Sequence, residues 1–126
     1  MLGNAKVQAM VGTAKGEIAK AFYTDVLGLK LKSEDAFAMI FAVGDRELRL
    51  NRVPAVVPST YAIMGFHVPD IATVVRGLAA KGVLMERYSF LPADTDGVWT
   101  APDGTKVAWF RDLDGNLAAP LLPVTY

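Results

Sequence analysis

Near the end of the chain, Asp112, Asp114 and Asn116 alternate around Gly115 in the stretch RDLDGNLAAP. Oxygen donors at alternate positions are what a calcium loop uses. An EF-hand-type loop also needs glycine at its sixth place and an acid at its twelfth. Counted from Asp112, those places hold Leu117 and Pro123, so that chemistry fails. The remaining reading is a turn whose carboxylates cap nearby backbone N–H groups while Gly115 takes the left-handed backbone angle. His67 is the only histidine and there is no cysteine. That removes thiolate metal sites, disulfides, a cysteine nucleophile and any signature of a catalytic triad, and no catalytic residue is assigned. No glycine-rich phosphate cradle occurs. Two polar residues in apolar strands stand out, Gln8 and Arg49. So does an aromatic group in the second half: Tyr61, Tyr88, Phe90, Trp99 and Trp109. Aromatics in strands mostly pack in cores, and in a cleft they stack on flat ligands. Trp99 and Phe90 are the more rim-like of the group, Trp109 the less.

The bulk composition limits the partners. Lys plus Arg number 13 and Asp plus Glu 13, a balance with no basic stripe for a nucleic-acid backbone or an anionic membrane. No apolar run reaches the roughly 18 residues of a membrane span, and the start lacks a basic stretch followed by a long apolar one. The expected setting is cytoplasmic, with neither nucleic acid nor membrane as partner. With 126 residues, 52% of them hydrophobic, the chain is long enough for one packed domain.

The elements follow from periodicity. Lys6–Val11 alternates as a strand. Thr13 is a helix N-cap candidate, and Ile18, Phe22 and Val26 form one apolar stripe that is expected to be core. Gly28 stops that helix. Leu29–Ser33, Ala36–Val43 and Glu47–Val53 read as strands, the last two joined by the hairpin signal GDR. PAVVPST is a linker. The order then repeats. Tyr61–Val68 is a strand, and Asp70 caps a helix with Ile71, Val74, Val75, Leu78 and Ala79 on one face and Gly82 at its end. Leu84–Tyr88, Val98–Thr100, Thr105–Phe110 and Leu117–Leu122 read as strands, with PADTDG a loop and APDG a tight turn. Gly28 and Gly82 lie 54 positions apart, the mark of a duplicated unit. The expectation is an α+β fold of two βαβββ modules within one domain spanning residues 1–126, module 1 about 1–55 and module 2 about 60–126. One helix per module covers one face of each sheet and leaves the other open.

Three stretches, AFYTDVLGLKL, GFHVPDIATVVRGLAAKGV and VAWFRDLDGNL, resemble the glyoxalase/bleomycin resistance/dioxygenase superfamily, the vicinal oxygen chelate proteins. The resemblance covers nearly the whole chain. It implies paired βαβββ modules curled around a cleft, commonly across a homodimer interface. It also implies either a metal-dependent lyase, isomerase or dioxygenase, or a metal-free protein that sequesters drugs. In the metalloenzymes four ligand places recur. They fall here on Gln8, Arg49, Ile63 and Ala119. Gln8 offers a neutral oxygen. Arg49 is a permanent cation with no lone pair, and Ile63 and Ala119 carry no donor. The neighbours Tyr61, Gly65, Leu117 and Leu121 do not restore one. His67, four residues past Ile63, shares its face in a regular strand, and a single histidine is not a cluster. Arg49 suits a ligand anion, while Glu47 and Asn51 on its face can satisfy it without one.

The leading expectation is a metal-free small-molecule binding protein, for a drug or metabolite, with no cofactor. Its candidate ligand-binding residues are Gln8, Arg49, Tyr61, Ile63, His67, Trp99, Trp109 and Ala119. The alternatives are a divergent lyase, isomerase or dioxygenase using Gln8, Arg49 or His67, and a structural or regulatory homodimer whose cleft is filled by its own side chains.

Overall fold

The computed structural model describes residues 1–124; positions 125–126 of the expected second module lie outside them. Mixed α and β elements form two compact units, Met1–Val57 and Pro58 onward, each built on its own open sheet.

The first unit runs β1 (Ala9–Thr13), α1 (Gly16–Ala21) with a π-helical continuation (Phe22–Val26), β2 (Lys30–Glu34), β3 (Ala38–Val43) and β4 (Arg46–Arg52). The sheet order is β1-β4-β3-β2, with β1 parallel to β4 and the other pairs antiparallel. Strand alternation divides the residues between two faces. One carries the buried Val11, Thr13, Met39, Phe41, Leu48 and Leu50, and the buried Ala19, Phe22 and Tyr23 belong to the same core. Tyr23 stacks on Phe41 at a centroid distance of 5.5 Å. The other face carries Gln8, Met10, Glu47, Arg49 and Asn51.

Three expectations fail here. Ile18 is not core but 64% exposed. The buried face is instead Ala19, Phe22, Tyr23 and Val26, the i, i+3, i+4, i+7 template, with Val26 half-buried. Thr13 is not the N-cap. It ends β1, and its hydroxyl accepts from the Lys15 N–H at 3.1 Å, one residue before the helix. The first strand starts at Ala9 rather than Lys6.

The second unit runs β5 (Met64–His67), α2 (Ile71–Ala80), β6 (Trp99–Thr100), β7 (Lys106–Val107), β8 (Phe110–Arg111) and β9 (Leu117–Leu122). Its order, β5-β9-β7-β6 with β8 also on β9, repeats the strand order of the first unit, with the counterpart of β3 split into β7 and β8. Asp70 caps α2 as expected, its Oδ1 accepting from the Thr73 N–H at 3.2 Å. Ile71 and Val75 pack with Val98 and Ala108 into a core. The helices end at Gly28 (φ 74°) and Gly82 (φ 86°), angles that cost a side chain 1–2 kcal/mol by order of magnitude.

Leu84–Tyr88 is not a strand. It keeps one backbone bond to the sheet, Glu86 N–H to Trp109 O at 2.7 Å. The single strand expected over Thr105–Phe110 is split in two, and Pro120 explains the break. The Ala108 N–H donates to the Pro120 carbonyl at 3.1 Å. An antiparallel pair of that kind normally returns a bond, and Pro120 has no N–H to return. No described helix is long and apolar enough to cross a membrane.

Candidate functional site

The helix covers one face of the second sheet, so the candidate residues collect on the other. Burial alternates along β5. Met64 is buried and Phe66 half-buried, whereas Gly65 and His67 are exposed. Ile63, just before the strand, is 39% exposed and donates its N–H to Leu117 O at 2.8 Å. Ile63 and His67 thus share the face that Ala119 and Leu121 occupy on β9, since Gly65 pairs with Ala119 and His67 with Leu121. The register that pairs Val107 with Leu121 and Phe110 with Ala118 sets Trp109 opposite Ala119. Trp99 pairs with Val107 and so joins the same face. Tyr61 is exposed and lies outside the ladder.

The aromatic side chains form one continuous cluster. Trp109 is its centre, 6.1 Å from Trp99 and 5.6 Å edge-on from Tyr88, and Tyr88 lies 5.7 Å from Phe90. Phe90 is 76% exposed, while the other three are half-buried. Trp109, read as the least rim-like, is the ring on which the others converge. Burial pushes the Tyr88 phenol above its usual range, the Glu86 charge adds to this, and Arg111 opposes it. The phenol therefore stays a neutral donor across the physiological range.

Beside the cluster Arg111 is held on three sides. It pairs with Glu86 and donates through Nη1 to Ser59 O at 2.8 Å and Gly115 O at 2.7 Å. Neither Arg111 nor Glu86 stands among the sequence candidates. Arg111 was within reach, two positions beyond Trp109 on the same strand face. Glu86 was hidden because its segment is irregular. The turn that begins at Asp112 holds no calcium geometry. Asp112 is buried, and its Oδ1 accepts from the N–H groups of Asp114 (2.9 Å) and Asn116 (2.8 Å). Its Oδ2 accepts from the Asn116 side chain at 2.8 Å. Gly115 takes φ 87° with Pro58 packed against it, and the Ser59 hydroxyl accepts from the Leu117 N–H at 2.8 Å. The turn thereby anchors the start of β9.

In the first unit Gln8 and Arg49 share the open face without touching. Gln8 is exposed and its Nε2 donates to Glu47 Oε1 at 3.3 Å. Arg49 sits in β4 between Met10 and Ile40 and donates through Nε to Asn51 Oδ1 at 3.1 Å. Of its two expected partners Asn51 is the one used; Glu47 turns to Lys32 and Gln8.

These residues do not suit the divalent metal that the resemblance implies for its metal-dependent branch. Arg49 is a cation already donating to an amide, and the side chains of Ile63 and Ala119 have no lone pairs. Among the described residues no three His, Cys, Asp or Glu side chains are grouped to hold an ion.

Comparison with known proteins agrees with this architecture. The model of the Glyoxalase/Bleomycin resistance protein/Dioxygenase superfamily matches residues 7–119. Among solved structures, a bleomycin resistance determinant encoded on the transposon Tn5 superposes with a TM-score of 0.76 at 20% identity, covering 95% of this chain and 98% of that one. An integron cassette protein from a Halifax Harbour sewage outfall gives 0.74 at 18% identity, covering 95% and 99%. The lactoylglutathione lyase of Agrobacterium tumefaciens gives 0.72 at 18% identity, covering 94% and 93%. No curated protein matches the chain in sequence.

Proposed function

The chain belongs to the glyoxalase/bleomycin resistance protein/dioxygenase superfamily, and from that premise we propose that it binds a small organic molecule and does so without a metal. The observation that carries the reading is the open face of the second sheet. Where a metalloenzyme would need donor atoms, this face has Ile63 and Ala119, and beside Ala119 it sets Trp109 against Trp99 and Tyr88. Aliphatic surface next to half-exposed rings favours a flat, largely apolar ligand. Such a ligand stacks on the indoles and displaces weakly held water. The Tyr88 hydroxyl within the cluster and His67 on the same sheet face are polar groups that would set its orientation. The likeness to a lyase is one of fold at 18% identity and brings no reaction with it.

Tryptophan fluorescence tests this directly, because both tryptophans of the chain lie in the cluster. Titration with a panel of planar aromatic and heteroaromatic compounds should quench and shift the emission. Trp109→Ala should weaken the best binder by roughly five- to tenfold, the worth of one aromatic pair. Binding that survives this substitution unchanged would place the ligand elsewhere.

A further inference from the structure

A basin lies on the first unit, at the hairpin end of its open face. It has a volume of about 560 Å³. One register row forms its floor: Lys30 pairs with Ala42, and Ala42 with Glu47. The parallel ladder of β1 and β4 starts at Ala9 opposite Leu48, which sets Gln8 beside Glu47. Ala42, in the middle of the row, contributes only a methyl group, so the long side chains around it stand over an open floor.

Those side chains are mostly cations: Lys6, Lys30, Lys32 and Arg46, set against Glu47 and Asp45. Four positive and two negative charges leave two in excess, in a chain whose formal total is zero. The excess is also poorly partnered. Glu47 is used up by Lys32 and Gln8. Arg46 reaches only Asp45 at 3.9 Å, and that carboxylate is 91% exposed. Lys6 and Lys30 have no side-chain hydrogen bond or ion pair among the described residues. The register of β2 on β3 shifts between Leu31 and Ser33, leaving Lys32 as the extra residue. Bulges of this kind re-aim a side chain at functional surfaces, and here the re-aimed lysine crosses β3 to hold the one acid of the floor.

We propose that this basin binds a small, multiply charged anion, the phosphate or carboxylate groups of a metabolite. In it Lys6, Lys30 and Arg46 supply the charge, and the Gln8–Glu47–Lys32 chain holds the floor in place. Ammonium groups act as point charges and accept either chemistry. The basin is independent of the aromatic face: its residues belong to the other unit, and neither tryptophan lines it.

The test is a heteronuclear NMR titration of the whole chain with inorganic pyrophosphate in one arm and citrate in the other, at low salt. Saturable shifts confined to residues 6–8, 30–32 and 42–47 are expected in at least one arm, and the arm that binds more tightly names the anion class. Lys6→Ala with Lys30→Ala should weaken binding by about tenfold, two surface charge contacts together. Lys6→Ala alone should weaken it about threefold, whereas Lys15→Ala, the same loss of one charge elsewhere on the unit, should leave it unchanged. All three lysines are exposed, and a retained amide spectrum certifies each variant's fold. Absence of saturable shifts in both arms overturns the proposal. So does equal weakening by Lys6→Ala and Lys15→Ala, which would mean general charge attraction.

Discussion

Asp112 decides how the last strand begins. One buried carboxylate takes three donors, two of them backbone N–H groups that would otherwise be stranded at the turn. Removing it leaves those donors unsatisfied, which costs about 1–3 kcal/mol for each group that stays dry. Asp112→Ala should therefore lower the unfolding free energy by roughly 3 kcal/mol in a urea titration. Asp112→Asn should lose less, because its oxygen still accepts. Gly115 carries a related constraint. An added Cβ would have to adopt φ 87° and meet Pro58 Cβ at 2.9 Å. Gly115→Ala should cost at least the ~1–2 kcal/mol of a left-handed side chain, read as a lowered melting temperature. At this scale the sequence was informative about the turn, since Asp and Gly in this order have few other uses. It was less informative about partners. That Arg49 would choose Asn51 while Glu47 turned to Lys32 depends on side-chain reach across three strands, which no single strand's pattern contains.

Between elements, the charged groups that fasten the helices set a pH window. Asp70 is held below the usual aspartate value, first by the Thr73 hydroxyl and then by the Thr73 N–H. Glu34 is held below its usual value by its hydrogen bond with Lys20. Lys20 is raised, by Glu34 and then Glu17. A lowered carboxylate stabilises the fold above its unfolded value and loses that contribution as pH falls through the folded one; a raised lysine does the reverse at high pH. The melting temperature should be flat between about pH 5 and pH 10, fall on acidification below about 4, and fall again above about 10.5. Asp70→Ala should reduce the acid limb and leave the alkaline limb intact. The elements themselves were mostly legible. α2 and β9 fall where periodicity and the Asp70 cap put them. The misses have separate causes. Ile18 went wrong because an i, i+4, i+8 stripe and the Ala19/Phe22/Tyr23 face overlap at Phe22, and alanine gives a weak signal. The strand over Thr105–Phe110 broke because Pro120, on its neighbour, supplies no N–H. Leu84–Tyr88 alternates like a strand but lacks a ladder to join.

For the molecule as a whole, a duplicated scaffold carries two chemically different open faces. The first sheet's face is polar, with cations gathered at one end; the second's is aromatic and aliphatic. Fold and family follow from the repeat and the matched residues 7–119. The chemistry does not, because the proposal turns on a few positions, Arg49, Ile63 and Ala119, whose side chains offer a metal no donor. The central claim is that the protein binds its ligand without a metal. Native mass spectrometry of protein purified without chelator tests it most directly. The predicted spectrum shows each chain at its sequence mass, alone or with a small organic adduct, and no metal increment after incubation with Zn²⁺, Ni²⁺ or Fe²⁺ beyond non-specific attachment. One divalent ion bound stoichiometrically per chain, retained as the ion is warmed and lost with chelator, would contradict the account.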